Sequence, residues 1–378
     1  MARNQKQVDA VILGGGIAAL GVGYALVRRR KKVVFVVPPK PLRGEATPAS
    51  AGILDPFLES DHLAQPFFRF KKAAFLDFKN QIRKLERATS MDTGFLACGM
   101  FFAAETRADE RMLKLRFVRH RHSGIPLRWL SQAMIRKEWP SVNPDLRGAL
   151  FYPTLARIFP GRLQAALKRF VTRNGAEWIA AKGPVRPVVR DGNVAGLVLN
   201  RRIIPTERIV NACGSWAGDK AVSLFPLSIE PIRGQVTVLA GNLPAVGPIA
   251  HSVRGIYVVP WEKKRYLLGS TVERAGFDPR VESRVLRRIR AAAARLMPGL
   301  RSLKAYGAWS GLRPCSQDYL PLIGETPLKG HYVAAGYYRS GIVIGMHAGE
   351  LLAQGMLDGR MPGVLKPFSP MRRLAKAL

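Results

Sequence analysis

The first forty residues alternate between apolar runs and breaks at glycine or proline, in an order typical of one folding unit. Residues 8–13 form an almost continuous apolar run and three glycines follow at 14–16. Residues 17–30 then have the pattern of a helix that ends in cations, which suit the carboxyl end of a helix. A second apolar run at 33–37 stops at two prolines. Strand, turn, helix and strand follow one another within about 30 residues, which predicts a βαβ unit with buried parallel strands.

Farther along the chain, helical and strand-like spacings succeed one another. A long helix is predicted at 67–86, where apolar side chains recur on one face. Additional helices are predicted at 111–119, 127–138, 161–174, 281–296 and 341–357. Strands are predicted at 177–180, 185–189, 194–199, 208–214, 235–239, 256–259, 266–268 and 332–335. The pair Asp191-Gly192 predicts a hairpin, and the strands between 229 and 271 predict an antiparallel sheet.

The first glycines lie where a dinucleotide could bind. Gly14-x-Gly16-x-x-Ala19 stands between a predicted strand and a predicted helix, the context that makes this short motif informative. Gly14 permits a tight turn, Gly16 lets backbone N–H groups approach a pyrophosphate, and the small Ala19 permits close packing of helix on strand. A glycine-rich turn without a ligand is the simpler alternative, but the flanking elements favour dinucleotide binding.

One part of the usual dinucleotide site is missing. An acidic residue that binds the adenosine ribose is expected about 20 residues beyond the glycines, at the end of the second strand. Val37 takes that place, and Glu45 is too far along the loop to be assigned the role. The ribose is then held by main-chain groups or water, or the cofactor binds less tightly.

Length and composition favour a large globular protein. A chain of 378 residues of which 47% are hydrophobic can bury a large core. Cys98, Cys213 and Cys315 lie far apart, which predicts a reducing, cytoplasmic setting and no structural metal. Residues 8–27 are apolar enough to raise the question of a membrane span, but their five glycines argue against one.

The net charge is a separate signal. Sixty Lys and Arg residues stand against 26 Asp and Glu residues, so the formal charge is +34. Such a field attracts polyanions, and the phosphates of tRNA or another nucleic acid are the obvious partner. A solvated basic surface is the alternative, because the cations are dispersed along the whole chain rather than confined to one segment.

Further segments carry a resemblance to a known family. They are residues 44–54, Trp309-Ser-Gly-Leu-Arg-Pro314 with residues 318–324, and Gly336-Tyr-Tyr-Arg-Ser-Gly341-Ile. With the glycine motif, they make the chain resemble, over nearly its whole length, the flavoenzymes of the D-amino acid oxidase (DAO) family. Among these, the chain is similar to glycine oxidase and to the FAD domain of the bifunctional tRNA enzyme that processes carboxymethylaminomethyl-uridine.

The resemblance implies an α/β fold, FAD as the cofactor and a set of contacts. An FAD-binding Rossmann-type domain of the glutathione-reductase kind is expected at 1–80, 150–225 and 305–378. A second domain with an antiparallel, substrate-binding sheet is expected at 81–149 and 226–304. The residues expected to contact FAD are Gly14, Gly16, Ile17, Ala18, Ala19, Val37, Arg43, Thr47, Ala51, Gly52, Ile53, Val185, Gly336, Ser340, Gly341 and Ile342.

The same resemblance implies that Arg313, Tyr257 and Arg339 hold the carboxylate of a small amine or amino-acid substrate. A planar guanidinium can bind a carboxylate through two parallel hydrogen bonds and so fix the α-carbon over the flavin. Arg313 could instead be one more surface arginine, but it stands in a largely apolar stretch, which favours a buried role. Tyr257 could equally be an ordinary strand aromatic.

Three functions are consistent with these observations. The first is an oxidoreductase that oxidises the C–N bond of glycine or a small N-substituted glycine, giving an imine that water hydrolyses; oxygen or another acceptor would reoxidise the flavin. The second removes the carboxymethyl group of carboxymethylaminomethyl-uridine in a tRNA anticodon loop, as Val37, residues 54–68 and the positive charge indicate. The third is a flavin-free RNA-binding protein on a decayed oxidoreductase fold.

Overall fold

The computed structural model describes residues 7–57, 65–243, 247–262 and 264–372. The α-helices of these residues are α1 (Ile17–Arg28), α2 (Ala46–Ala49), α3 (Gln65–Thr89), α4 (Arg107–His120), α5 (Gln132–Glu138), α6 (Pro160–Arg173), α7 (Ser283–Leu296) and α8 (Gly341–Asp358). The strands are β1 (Ala10–Leu13), β2 (Val33–Val37), β3 (Ile53–Leu54), β4 (Met100–Ala104), β5 (Arg128–Ser131), β6 (Gly148–Tyr152), β7 (Ala156–Arg157), β8 (Glu177–Ala180), β9 (Arg186–Arg190), β10 (Asn193–Leu199), β11 (Arg202–Pro205), β12 (Ile209–Asn211), β13 (Ile229–Ala240), β14 (Ile249–Ser252), β15 (Tyr257–Trp261), β16 (Arg265–Gly269), β17 (Lys304–Ser316), β18 (Leu322–Glu325) and β19 (His331–Ala335).

The predicted βαβ unit is confirmed and lies at the centre of a six-stranded sheet. β1 pairs in parallel with β2 on one side and with β12 on the other. The full order is β18-β19-β12-β1-β2-β8, with β18 antiparallel at one edge. All four residues of β1 are buried, because helices α1 and α8 cover one face of the strand and the three-stranded sheet of β9, β10 and β11 covers the other.

Helices α1 and α8 cross in direct backbone contact beside this sheet. A Cβ added to Gly21 would lie 2.2 Å from the carbonyl oxygen of Gly345, and one added to Gly349 would lie 2.2 Å from the carbonyl carbon of Gly21. Only glycine permits so close an approach. The crossing fixes the position of the amino terminus of α1, to which the glycine turn leads.

The predicted antiparallel sheet is also present and larger than expected. Its eight strands run in the order β17-β13-β16-β15-β14-β4-β6-β5. The β14–β4 pair is parallel, and the other neighbouring pairs are antiparallel. The predicted hairpin forms β9 and β10, which join β11 in a three-stranded sheet.

The helix predicted at 127–138 is wrong in its first third. Residues Arg128–Ser131 form β5, the edge strand beside β6, and α5 begins only after Ser131. The Ser131 hydroxyl accepts a hydrogen bond from the Met134 amide at 3.4 Å, an N-cap that fixes the start of the helix. Pairing with a sheet edge has overridden the local helical spacing.

Residues 8–27, the segment considered as a membrane span, form β1 and most of α1. No helix in the described parts of the chain is long and apolar enough to cross a bilayer. The division into two discontinuous domains at the boundaries given above stays a prediction.

Candidate functional site

A large cavity of about 1160 Å³ lies between the two main sheets. Leu13, Val37, Ala212 and Ala335, at or just beyond the carboxyl ends of β1, β2, β12 and β19, line one part of it. This edge of a parallel sheet is where open α/β folds bind ligands. Residues of β13, β15 and β17 line another part, so the cavity reaches from the glycine turn to the antiparallel sheet.

The glycine turn is tight and opens into the cavity. Gly14 has a φ of 110°, and a Cβ there would lie 2.5 Å from the carbonyl oxygen of Ala212. The Thr47 hydroxyl accepts a hydrogen bond at 3.0 Å from the amide of Ile17, the first residue of α1. α1 has no acidic residue in its first turn, so its positive end faces the cavity without a protein carboxylate from that turn.

Most residues predicted to contact FAD line this cavity. They are Gly14, Gly16, Ile17, Ala18, Val37, Thr47, Ala51, Ile53, Val185, Gly336, Ser340, Gly341 and Ile342. Ala19, Arg43 and Gly52 do not. Ala19 is fully buried in α1, Arg43 points to solvent, and Gly52 packs against the Ile158 backbone, where a Cβ would lie 1.9 Å from the carbonyl oxygen.

Other side chains occupy the end where the ribose carboxylate is missing. Trp178 and Lys168 line the cavity beside Val37, with the Lys168 ammonium 4.8 Å from the Trp178 ring centroid. Trp178 stacks on Phe35 of β2 with ring centroids 4.3 Å apart, which holds the indole against the sheet. Gln164 of α6 donates a hydrogen bond to the carbonyl of Gly15 at 3.0 Å and steadies the glycine turn.

At the other end, Arg313 of β17 faces the cavity with its guanidinium held in place. Its Nη1 donates to the carbonyl of Thr271 at 3.0 Å and its Nη2 donates to the hydroxyl of Ser270 at 2.7 Å. Gly234 on the neighbouring strand β13 leaves room for the group, since a Cβ there would lie 2.2 Å from Nη2. The clamp predicted from sequence is therefore a half-buried, oriented guanidinium rather than a surface cation.

Tyr257 and Arg339 line the same region of the cavity. Burial raises the pKa of the Tyr257 phenol, an effect that the nearby Arg313 charge opposes, so the hydroxyl keeps its proton at neutral pH. The Tyr257 hydroxyl lies over Gly269, where a Cβ would be 2.5 Å away. The structure thus brings all three predicted carboxylate-binding residues together.

Sequence reasoning missed three polar residues of the cavity wall: His251, Asp55 and Lys71. Each is at least 95% buried. The Asp55 carboxylate accepts a hydrogen bond from the Phe57 amide at 2.6 Å. Lys71 carried a signal, because a lysine on the apolar face of a predicted helix needs a reason for its burial. What the sequence lacked was the spatial contact that connects the three segments.

Comparison with known proteins assigns the chain to a family. The family model described as FAD dependent oxidoreductase (DAO) matches residues 9–355. The glycine oxidase of Geobacillus kaustophilus (strain HTA426) is 28% identical over 374 residues, which cover 97% of this chain and 98% of that protein.

The fold is also similar to solved structures of oxidases. A crystal structure of glycine oxidase from Geobacillus kaustophilus superposes with a TM-score of 0.86 at 27% identity, covering 97% of this chain and 99% of the other. Iminodiacetate oxidase from Chelativorans sp. BNC1 gives a TM-score of 0.86 at 25% identity, covering 96% and 98%. The open cavity, its glycine turn and the family match agree on the cofactor and the fold, and the chain belongs to the DAO family of FAD-dependent oxidoreductases.

Proposed function

We propose that this enzyme oxidises the C–N bond of glycine or of a small N-substituted glycine. The observation that carries the proposal is the oriented guanidinium of Arg313, which shares one cavity with the dinucleotide turn. Two of the similar proteins are named for oxidising glycine and iminodiacetate, an N-substituted glycine.

In this proposal the chain binds and orients while the cofactor accepts electrons. The substrate carboxylate lies against Arg313, and Tyr257 and Arg339 complete its binding. Bound FAD supplies a hydride acceptor. The α-carbon gives up a hydride and the nitrogen a proton, which leaves an imine; water then hydrolyses it to an aldehyde or keto acid and an amine.

The cofactor contacts are part of the same proposal. The cavity-lining residues of the glycine turn and of α2 hold the diphosphate, and Ser340 to Ile342 contact the flavin end. Lys168 and Trp178 bind the adenosine end of FAD, where Val37 has no carboxylate to bind the ribose. An ammonium can donate hydrogen bonds to ribose oxygens, and an indole offers the adenosine an apolar surface.

Replacing Arg313 tests the substrate clamp. Arg313→Ala should weaken binding of carboxylate substrates by about 2–5 kcal/mol, because one partner of a desolvated charge pair is lost. Flavin content should stay unchanged. The measurement is anaerobic reduction of the bound flavin by glycine and sarcosine, which needs no assumption about the final electron acceptor.

Arg284→Ala is the matched control, since Arg284 is exposed on α7 and does not line the cavity. Glycine and sarcosine should reduce the flavin of this variant as they reduce that of the unmodified enzyme. Equal substrate dependence of the Arg313→Ala and unmodified proteins would show that the clamp lies elsewhere.

The positive charge favours a second candidate, in which the glycine unit is carried by carboxymethylaminomethyl-uridine of a tRNA. Arg284, Arg287 and Arg288 are exposed on α7 and could contact phosphates. The similar proteins reported above are named for small molecules and give this candidate no support. The test is salt-dependent binding of undermodified tRNA together with flavin reduction by it. Turnover of free glycine without such binding would leave only the first candidate.

The flavin-free alternative finds no support, because the chain belongs to an FAD-dependent family and its cavity is open along the glycine turn.

A further inference from the structure

His251 is a buried histidine in the wall of the cavity, beside the residues proposed to bind the carboxylate. It lies in β14 directly opposite Tyr257 of β15, and the centroids of the two rings are 6.0 Å apart. The ring of Phe102 lies 5.0 Å away on the neighbouring strand β4. The imidazole is 95% buried, so its position is fixed by three strands.

The hydrogen bond of His251 determines which ring nitrogen can meet a ligand. Its Nδ1 lies 2.7 Å from the carbonyl oxygen of Ser252. A carbonyl oxygen only accepts, so Nδ1 carries the proton and Nε2 offers a lone pair in the neutral ring. Within the described residues, Nε2 makes no hydrogen bond to the protein, although His251 contributes to the cavity wall.

The surroundings keep this imidazole neutral. Burial, together with the positive charges of Arg339 and Arg116, lowers the pKa of His251 to about 4, against the opposing effect of the Ser252 carbonyl. Tyr257 faces the ring from β15 with its phenol protonated. At neutral pH the His251 ring therefore presents an acceptor in the same cavity wall as the donors of Arg313, Tyr257 and Arg339.

We propose that Nε2 of His251 accepts a hydrogen bond from the nitrogen of the substrate and thereby orients the amine that is oxidised. The proposal rests on the proposed function and deepens it. A zwitterionic glycine brings a carboxylate, which Arg313 and Tyr257 can satisfy with donors, and an amine, which needs an acceptor. His251 supplies that acceptor within the same strand pair as Tyr257.

The proposal sets a substrate class. A primary or secondary amine keeps an N–H when it is neutral and reactive, whereas a neutral tertiary amine has none. The enzyme should therefore prefer glycine and sarcosine to N,N-dimethylglycine. The preference should depend on His251 and not on the carboxylate clamp.

The test compares the holoenzyme with His251→Leu, which removes the acceptor, and His251→Gln, which keeps one. Binding of acetate, a carboxylate without an amine, is followed by the change in flavin absorbance. Sarcosine and N,N-dimethylglycine are followed by anaerobic flavin reduction. His251→Leu should weaken binding of sarcosine about tenfold, as loss of one buried hydrogen bond does, and should change the affinity for acetate less than about twofold. His251→Gln should restore part of the loss.

Selectivity for sarcosine over N,N-dimethylglycine should fall with the same His251→Leu change. His122→Leu, at an exposed histidine, is the matched control and should behave like the unmodified enzyme. If His251→Leu weakened acetate and sarcosine binding equally, or changed neither, the role of His251 would be overturned. The same would follow if Asp55→Asn, and not His251→Leu, weakened sarcosine binding without weakening acetate binding. If neither glycine nor sarcosine reduces the flavin of the unmodified enzyme, the proposed function itself fails and this proposal with it.

Discussion

At the scale of single residues, the proposed substrate clamp depends on a glycine as much as on its arginine. The guanidinium of Arg313 lies over Gly234, where an added Cβ would be 2.2–2.4 Å from three of its atoms. The group is long and flexible, so it would move rather than force the strands apart. Its hydrogen bonds to Thr271 and Ser270 would then be lost or lengthened.

We therefore expect Gly234→Ala to weaken carboxylate binding while leaving the fold intact. The loss of binding free energy should be about 1–3 kcal/mol, the range for lost or weakened hydrogen bonds of a charged group. Acetate titration of the holoenzyme measures it. Gly307→Ala in the facing strand β17 is the control, because nothing lies within 4 Å of a Cβ there. Identical acetate affinities for both variants would mean that Gly234 does not shape the clamp.

His331 makes a second prediction at this scale, concerning stability and pH. It is fully buried in β19, its Nδ1 lies 3.0 Å from the Thr326 hydroxyl, and its Nε2 has no hydrogen-bond partner among the described residues. Burial lowers its pKa from 6.5 to about 4. As pH falls below 6.5, His331 binds a proton in the unfolded chain but stays neutral in the folded chain until about pH 4. The free energy of unfolding therefore decreases between pH 6.5 and pH 4.

His331→Leu should remove this part of the acid sensitivity, worth up to about 3 kcal/mol. Denaturant unfolding at pH 7 and pH 4 gives the two free energies for each protein. The decline should be smaller in His331→Leu than in the unmodified chain. The exposed His122→Leu should keep the full decline. His251 contributes equally to the acid sensitivity of all three proteins, so its effect cancels in the comparison. Equal declines in the free energy of unfolding in all three proteins would refute the assignment to His331.

At the scale of elements, the contact of α1 with α8 fixes the position of the glycine turn, which we propose to bind the diphosphate of FAD. Gly349 meets the backbone of Gly21 and Val22, with an added Cβ 2.2–2.5 Å from their atoms. Backbone atoms cannot rotate away as a side chain can. Gly349→Ala should push the helices apart, destabilise the protein by at least about 2 kcal/mol and weaken FAD binding, because α1 carries the glycine turn.

Thermal unfolding and FAD titration of the apoprotein measure both effects. Gly355→Ala, also in α8, is the matched control: its nearest neighbour would be the end of the flexible Met361 side chain at 2.5 Å, which can move. A Gly349→Ala protein with unchanged stability would show that the crossing is not tight.

The same elements show what the sequence could and could not predict. β1, α1 and β2 were predictable because their signals, a glycine turn between an apolar run and a helical period, lie within 30 residues. β5 was missed because its strand pairing comes from β6, about 20 residues away. His251 and Asp55 carried no local motif, and only the packing of distant segments places them in one cavity with Arg313. The role of Arg313 in binding the carboxylate was predicted from resemblance, because the apolar stretch around it indicates burial but not a ligand.

At the scale of the whole molecule, one cavity is walled by segments from both ends of the chain and from both large sheets. Leu13 and Val343 line it together, and so do Ala335 of the parallel sheet and Tyr257 of the antiparallel sheet. A ligand that fills this space contacts parts of the chain more than 300 residues apart. Its binding free energy is therefore available only to the folded molecule.

Removal of FAD should accordingly lower the unfolding temperature, and added FAD should restore it in a concentration-dependent way. Free FAD at 100 times its Kd should stabilise the protein by about 2.7 kcal/mol, because it binds the folded state and not the unfolded chain. Thermal unfolding of the apoprotein over a series of FAD concentrations measures the effect. Lys168→Ala should shift that series to higher FAD concentrations if the ammonium holds the adenosine end, whereas Lys366→Ala, which lies outside the cavity wall, should not. An unfolding temperature that does not change with FAD would mean that the cofactor does not join the two sheets.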